Sequence, residues 1–167
     1  MTRSLVFVTI SPLAALSGRH PGEYPVSQFR CQIVTPSEAV LDEKVEYVSF
    51  PAWDGQVGVM PGTSPFLMNA GSGSLRIEFG NGNRLYLLDG GFARMQDNVL
   101  TLLADDIIPA DQIELNEAEE ELAAANAAAS DAGHLEEQDR KDLEKAQDRA
   151  QAKVSLAKAT ASRPGSI

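Results

Sequence analysis

The stretch LRIEFGNGNRLYLL at residues 75–88 decides the fold of this chain. Apolar and polar residues alternate strictly from Leu75 to Phe79, which is the pattern of a strand with one buried and one solvated face. The next four residues, GNGN, form a turn signal that permits positive φ, and an apolar run follows at 84–88. We therefore predict an antiparallel β-hairpin at this point.

Other short segments on both sides of this hairpin also have strand patterns, at 29–33, 45–50 and 99–103. Turn signals separate them roughly every ten residues. Gly90-Gly91 interrupts this series and predicts a bulge or a kink in a strand. The arrangement is typical of an all-β sandwich or barrel. We predict an antiparallel β-sandwich over residues 29–109.

The composition changes near Pro109–Asp111, where glycine, aromatic and β-branched residues give way to Ala, Glu, Lys, Gln and Leu. Asp111 followed by Glu114 predicts an N-cap with a capping-box partner, and Gly133 predicts a break between two helices. Apolar residues recur at helical spacing in both segments, at Leu115, Ala118, Leu122, Ala125 and Ala129 and at Leu143, Ala146, Ala150, Val154 and Ala157. We predict an antiparallel αα-hairpin over residues 110–167 that ends in a basic tail.

The predicted fold class is thus β plus α, with an N-terminal sandwich and a C-terminal helical hairpin. The hairpin has few large apolar side chains, because most of its stripes are alanine, which favours helix but packs weakly. We expect its docking on the sandwich to be marginal, so that it can move between two sites. An ordinary solvated hairpin resting on the sandwich fits the same residues, and the sequence leaves both interpretations open.

The first 28 residues differ from the rest and are expected to be an extension outside the sandwich. A basic start, a short apolar stretch and no acidic residue before Glu23 resemble an interrupted signal peptide or a transit peptide. Glycines and prolines between Gly18 and Ser27 are typical of a loop. A disordered extension, a start codon placed too early and a targeting segment all stay open.

The composition excludes several classes of function. The chain has 167 residues and a formal charge of −10, from 24 acidic and 14 basic residues, so nucleic acid is a poor partner. No apolar run reaches the ~18 residues that are needed to span a bilayer. The single cysteine, Cys31, cannot form an internal disulfide and fits a reducing compartment.

Candidate catalytic and metal-binding residues are few. His20, His134 and Cys31 lack metal-ligand spacing, and there is no phosphate loop or nucleophile motif. We interpret Asp105-Asp106 as a strand end whose carboxylates point to opposite faces. We interpret Trp53 as a half-buried turn aromatic, with stacking on a ligand as the alternative. We therefore predict no catalytic, cofactor or metal site, and a function that lies in surfaces that bind partners.

Two motifs resemble a known family. Residues 50–67 read FPAWDGQVGVMPGTSPFL, and residues 86–92 read YLLDGGF and continue to NVLTLLAD at 98–105. In order and spacing these motifs, followed by an Ala/Glu-rich helical hairpin, are similar to the epsilon subunit of F-type ATP synthases. That subunit is the bacterial homologue of the mitochondrial delta subunit. The resemblance covers residues 29–160.

The resemblance implies a non-catalytic subunit in the central stalk of a rotary, proton-transporting ATP synthase. The sandwich is expected to link the gamma subunit to the c-ring and so to couple proton flow to ATP synthesis. The hairpin is expected to lie on the sandwich or to extend along gamma towards the beta subunits, where it slows ATP hydrolysis. The resemblance also implies a peripheral protein at the cytoplasmic face of the bacterial plasma membrane, which meets the membrane only through the complex.

Carried over residue by residue, the resemblance implies three contact sites and no cofactor. The c-ring contact falls on Asp54, Gly55 and Gln56. The gamma contact falls on Met60, Pro61, Gly62, Thr63 and Pro65. A transient contact with the acidic surface of beta falls on Lys145, Arg149, Lys153 and Lys158, where charge steering makes binding sensitive to salt.

The chain departs from the family pattern at two places. Thr63 stands where many relatives have histidine, which implies a different contact with gamma. Relatives that bind ATP have Asp and Arg where this chain has Asn116 and Glu119, and an acid in place of the arginine is expected to repel ATP. Two other interpretations stay open. One is a non-enzymatic ligand- or protein-binding sandwich with a dimerising hairpin, and the other is a mitochondrial or plastid homologue with a cleaved transit peptide.

Overall fold

The computed structural model describes residues 27–130 and 137–162. Seven strands come first: β1 Phe29–Val34, β2 Ala39–Val45, β3 Tyr47–Ala52, β4 Gly55–Val59, β5 Phe66–Phe79, β6 Gly82–Gln96 and β7 Val99–Pro109. A 3₁₀ turn at Ala110–Gln112 follows, and then the helices α1 Leu115–Ser130 and α2 Glu137–Ala161. Most of the predicted extension, Gly133 and both histidines lie outside the described residues.

The strands form a mostly antiparallel sheet in the order β2-β1-β7-β6-β5-β3-β4. The sheet folds over on itself, so that the inward faces of all seven strands enclose one core. The predicted β5–β6 hairpin, the sandwich and the helical hairpin that follows it are thereby confirmed. One strand pair was not expected, because β1 and β7 run parallel. The five strands between them in sequence provide the long crossover that a parallel pair requires.

A corner divides the long central strands at Gly90-Gly91, as this glycine pair predicts. Leu88 and Ala93 lie an odd number of residues apart, yet both are fully buried, so the inward face of β6 changes between them. Gly90 and Gly91 have φ angles of +70° and +118°, and a Cβ on Gly91 would collide with the carbonyl oxygen of Leu103. Glycine is therefore required where the sheet bends.

The core of the sandwich comes entirely from the strands. Its largest buried side chains are Phe29, Ile33, Phe50, Leu75, Ile77, Leu88, Met95, Leu100 and Leu102. Cys31 lies among them, and burial raises the pKa of its thiol to about 12, so the reactive thiolate is scarce at neutral pH. Within the described part of the chain no helical residue joins this cluster, so the sandwich does not depend on the hairpin for its core.

The first helix begins later than the sequence predicts. α1 starts at Leu115, and Asp111 lies in the 3₁₀ turn instead of at an N-cap. Ala110 is buried in this turn, and Ile113 is extended, with φ −91° and ψ 113°. Both side chains pack into one apolar cluster, and their burial determines the backbone path here.

The two helices are antiparallel and pack on each other through their apolar stripes. The buried residues of these stripes are Ala118 on α1 and Ala150, Val154 and Ala157 on α2, as helical spacing predicts. Ala146, which belongs to the predicted stripe, is exposed instead. Gln147 Nε2 also donates to Asn126 Oδ1 at 3.0 Å, which joins the helices near their connection.

The hairpin is docked on the sandwich mainly through α2, which lies over β5 and β6. The apolar part of this contact is small. Leu156 packs with Leu87 and Ala110, and the partly buried residues around them are Leu85, Ile108, Ile113 and Ala152. Full burial of one leucine contributes about 1.5–3 kcal/mol, so this cluster holds the hairpin with only modest strength.

Candidate protein-binding surfaces

The β3–β4 hairpin ends in an exposed tip, residues Trp53 to Gln56. Ala52 pairs with Gly55, so Trp53 and Asp54 form a two-residue loop beyond the last strand pair. The Trp53 side chain is 88% exposed, and the prediction of a half-buried aromatic is therefore wrong. Trp53 lies beyond the last strand pair, and this two-residue loop leaves its indole in solvent.

Gln56 differs from the rest of the tip because the sheet holds its side chain. Its Nε2 donates to the carbonyl oxygen of Ser74 at 3.3 Å, and its Oε1 accepts from the Ser49 hydroxyl at 3.0 Å. Asp54 is exposed. The tip thus presents an indole and a carboxylate to solvent on a loop whose base is fixed.

The segment from Met60 to Pro65 begins with a tight turn. Thr63 N–H donates to the Met60 carbonyl oxygen at 3.1 Å, and Gly62 has φ +81° behind Pro61, as a type II turn requires. The Thr63 hydroxyl accepts from Met60 N–H at 3.1 Å and donates to its carbonyl oxygen at 2.7 Å. The residue that departs from the family pattern therefore closes the turn, and Met60 is left 56% exposed.

Three large apolar side chains form what we call the outer apolar patch: Leu67, Phe92 and Leu103. They lie on the outer face of β5, β6 and β7 and are 72%, 52% and 51% exposed. Phe92 pairs with Leu103 on β7 and with Asn69 on β5, and Leu67 is the next outward residue along β5. Neighbouring apolar side chains left in solvent make this patch a candidate for a surface that binds a partner.

Arg149 of α2 joins the hairpin to the sandwich by charge. Its Nε lies 2.9 Å from Asp89 Oδ2, and its Nη2 lies 3.9 Å from Asp106 Oδ2. The Nε atom is buried and lacks hydrogen-bond geometry, so the contact is an ion pair only. Asp89 also accepts a hydrogen bond from the Ser72 hydroxyl at 2.6 Å.

Two further basic residues of α2 are paired with α1. Lys158 lies 3.1 Å from Glu119, and Lys153, whose side chain is mostly buried, is paired with Glu121. Three of the four basic residues in the predicted beta contact are thus engaged within the chain while the hairpin is docked. The fourth, Lys145, is exposed.

An open cleft of about 650 Å³ separates the N-terminal half of α2 from the corner of the sandwich. Its walls include Trp53, Phe92 and Asp105 on one side and Lys145 and Asp148 on the other. The docked helix therefore touches the sandwich through its C-terminal half and stands away from it near residue 145.

Asp105 and Asp106 do not form a strand end, because β7 continues to Pro109. Asp105 lines the cleft and Asp106 faces Arg149, so both lie on the side of α2, contrary to the prediction of opposite faces. The change of face at the corner explains this difference.

In residues 27–130 and 137–162, no three His, Cys, Asp or Glu side chains are grouped so that they could hold a metal ion. Neither of the described helices combines the length and apolar character that a bilayer span requires.

Comparisons with known proteins place the chain in a family. Residues 28–110 match the family model described as ATP synthase, Delta/Epsilon chain, beta-sandwich domain. The ATP synthase epsilon chain of Rhodopirellula baltica is 38% identical over 96 residues, which cover 58% of this chain and 75% of that relative. The chain belongs to the ATP synthase epsilon chain family. In the synthase, the epsilon chain is a non-catalytic subunit.

Another epsilon chain agrees with this assignment, and two solved synthases share the fold. The relative from Propionigenium modestum, named as sodium ion specific, is 31% identical over 100 residues, which cover 60% of this chain and 73% of the relative. A chain of the Euglena gracilis mitochondrial ATP synthase matches with a TM-score of 0.67 and 21% identity, over 93% of this chain and 91% of its own. A chain of the Tetrahymena thermophila synthase central stalk and c-ring matches with a TM-score of 0.53 and 17% identity, over 78% and 94%. These two likenesses support the fold of the epsilon chain.

The sequence patterns did not predict the outer apolar patch. One of its three residues could have been identified from the sequence, because positions 99–103 are apolar except for Thr101. With Leu100 and Leu102 facing inward, Leu103 has to face outward. Phe92 gives no such signal, since its direction depends on the corner at Gly90-Gly91.

Proposed function

We propose that this chain is a central-stalk component of an F-type ATP synthase, in which the sandwich links the gamma subunit to the c-ring. In this role it couples proton flow to ATP synthesis and has no bond-making site of its own. One observation carries the proposal: the family-matched residues 28–110 form a self-contained sandwich that exposes the indole of Trp53 at the β3–β4 tip and the outer apolar patch on β5, β6 and β7. A linker between two partners requires such surfaces.

We assign the gamma contact to the outer apolar patch together with the segment Met60 to Pro65. The segment leads directly into β5, which begins at Phe66 and carries the patch residue Leu67. Met60, Leu67, Phe92 and Leu103 are each more than half exposed in the isolated chain. Burial of such side chains against a permanent partner provides the apolar centre of an interface.

We assign the c-ring contact to the tip at Trp53 to Gln56. The resemblance implies that Asp54, Gly55 and Gln56 make this contact, and the exposure of Trp53 supports adding it. Tryptophan is enriched among the residues that dominate binding energy at interfaces. Because the Gln56 amide is already bound to the sheet, we expect Trp53 and Asp54 to make most of this contact.

We propose that the hairpin regulates ATP hydrolysis by leaving its docked site and contacting the beta subunits. The small apolar cluster at Leu156 and the partly exposed ion pair of Arg149 support a docked state that can be released. The residues proposed to meet an acidic surface on beta are Lys145, Arg149, Lys153 and Lys158. Since the α1–α2 pairs of Lys153 and Lys158 can persist in an extended hairpin, Arg149 is the charge that release frees first.

We propose that the complex is proton-transporting and that the chain lies at the cytoplasmic face of the bacterial plasma membrane. The similarity to bacterial epsilon chains supports this location. The chain would then reach the membrane only through its partners.

A truncated chain that ends at Pro109 tests this division of roles. The sandwich has its own core, so we expect this chain to fold and to restore ATP-driven proton pumping in membranes that carry a synthase lacking the subunit. ATP hydrolysis is expected to exceed that with the full chain. Truncation removes Leu156 and Ala110, which bury Leu87, and an exposed leucine can lower solubility. The truncated chain with Leu87→Thr is therefore the control for a loss of solubility. Coupling lost as fully as without any subunit would refute the assignment.

We predict that the chain does not bind ATP at physiological concentrations. Asn116 cannot act as the acid of the family motif, and Glu119 in place of its arginine is paired with Lys158 at 3.1 Å. Glu117 and Glu120 add negative charge nearby, which repels phosphate groups. Isothermal titration is expected to show no heat of binding, and a sub-millimolar affinity would contradict the prediction.

A further inference from the structure

Asn98 connects three separate segments of the sandwich. Gly62 N–H donates to its Oδ1 at 3.1 Å, and its Nδ2 donates to the carbonyl oxygen of Gln28 at 3.2 Å. Its own carbonyl oxygen accepts from Arg30 N–H at 3.1 Å. The side-chain amide of this exposed asparagine thus makes two hydrogen bonds, both to backbone groups that are distant in the sequence.

The backbone explains why asparagine occupies this position. Asp97 and Asn98 form the two-residue loop between Gln96 and Val99, with φ angles of +51° and +59°. Such a loop needs left-handed residues, and asparagine adopts this conformation more readily than most. This backbone conformation places the short side chain of Asn98 next to the turn at Gly62.

The bond to Gly62 acts on the centre of the Pro61–Gly62 turn. Type I and type II turns differ by a flip of the peptide that joins their two central residues. The N–H of that peptide belongs to Gly62, and Asn98 Oδ1 accepts it. Thr63 holds the two ends of the turn through its bonds with Met60, whereas Asn98 holds its middle.

We infer that Asn98 is a positioning residue, which fixes the orientation of the Pro61–Gly62 peptide and thereby shapes the surface that contacts gamma. The identity of gamma as the partner rests on the proposed function, whereas the hydrogen bond between Asn98 and Gly62 does not. Asn98 acts through Gly62 and needs no contact with gamma itself.

Three variants of the full chain separate this role from general stability. Asn98→Gly keeps the left-handed backbone and removes both side-chain bonds, whereas Asn98→Asp keeps the acceptor for Gly62 N–H and loses the donor to Gln28. Asp97→Gly is the matched control, because it changes the same loop at a similar φ, and the Asp97 side chain makes no hydrogen bond within the described residues. Urea unfolding shows that each variant is folded.

The first readout is amide hydrogen exchange at Gly62. We expect exchange about 3- to 10-fold faster in Asn98→Gly, as the loss of one net hydrogen bond implies, and close to the wild-type rate in Asn98→Asp and Asp97→Gly. An unchanged rate in Asn98→Gly would overturn the positioning role whatever the partner is.

The second readout is affinity for an F1 complex that contains gamma but lacks this subunit. We expect about 3- to 10-fold weaker binding for Asn98→Gly, and binding within twofold of the wild type for Asp97→Gly. Equal weakening in both variants, or none in Asn98→Gly, would overturn the link to gamma. If the wild-type chain itself failed to bind, the proposed function would fall, and exchange at Gly62 would still decide the role of Asn98.

Discussion

A variant that carries Phe92→Asp and Leu103→Asp is expected to bind the gamma-containing F1 complex at least about 100-fold more weakly than the wild type. Anchor residues at the centre of an interface contribute about 2 kcal/mol or more each, and a carboxylate in their place would be buried without a partner. Both side chains are more than half exposed in the isolated chain. Phe92 and Leu103 lie opposite each other on β6 and β7, so two aspartates there are expected to lower the free energy of unfolding by about 1 kcal/mol. Urea unfolding checks that the variant is still folded when it is assayed.

Trp53→Asp is the matched control for this variant, because it makes the same kind of change at a side chain that is even more exposed. We expect it to keep normal affinity for gamma and to weaken attachment to the c-ring. Affinities are measured by surface plasmon resonance on the F1 complex and on purified c-rings. If the patch variant bound gamma within threefold of the wild type, the patch would not be the gamma site.

The two sides of the Arg149 ion pair are expected to have opposite effects on ATP hydrolysis. A chain with Asp89→Asn and Asp106→Asn should inhibit hydrolysis more strongly than the wild type, because the docked hairpin loses its charge contact while Arg149 stays available for beta. Arg149→Gln should inhibit less, because it removes the contact in both states. If both variants changed hydrolysis in the same direction, Arg149 would not be shared between the two sites.

The size of the first effect follows from the exposure of the pair. Arg149 and Asp89 are about one-third exposed and Asp106 is 57% exposed, so the contact contributes about 1 kcal/mol. Its loss would shift the ratio of released to docked hairpin about fivefold. Asparagine at position 89 still accepts the hydrogen bond from Ser72, so the sheet itself is expected to remain intact.

A cross-link measures the docked population directly. Asn69→Cys and Asp148→Cys place thiols on opposite sides of the cleft between the sandwich and α2. A short bismaleimide is expected to join them in the wild-type background and less often in the Asp89→Asn and Asp106→Asn background. The buried thiol of Cys31, with its pKa of about 12, does not compete for the reagent.

The sequence predicts the layout of this fold well where a pattern is local. Strict alternation at 75–79 followed by the GNGN turn specifies the β5–β6 hairpin, and the alanine stripes specify the helical pair. The parallel pairing of β1 and β7 has no local pattern, because it depends on where five intervening strands return the chain.

The errors at Asp111 and Asp105-Asp106 share a physical cause. Each concerns a residue whose surroundings come from distant segments. The capping box at Asp111 is overridden by the burial of Ala110 and Ile113 against α2 and β6. The carboxylates of Asp105-Asp106 share one side because the sheet bends at Gly90-Gly91.

The candidate sites also differ in whether a local pattern or distant segments form them. Motif resemblance leads to the tip and to the turn at Met60 to Pro65, which are continuous in sequence. The outer apolar patch and the pairing of Arg149 with Asp89 combine residues from several elements, and periodicity alone could not bring them together. Asn98 shows this most clearly, since its partners Gln28 and Gly62 lie 70 and 36 residues away.

The central claim is that this subunit acts by holding gamma. Calorimetric titration of the full chain into F1 assembled with gamma, and into alpha–beta assemblies without it, tests this directly. We predict a one-to-one complex of sub-micromolar Kd in the first titration and much weaker binding in the second, where only the transient contact of the hairpin with beta remains. Equal binding to both assemblies, or none to either, would contradict the account.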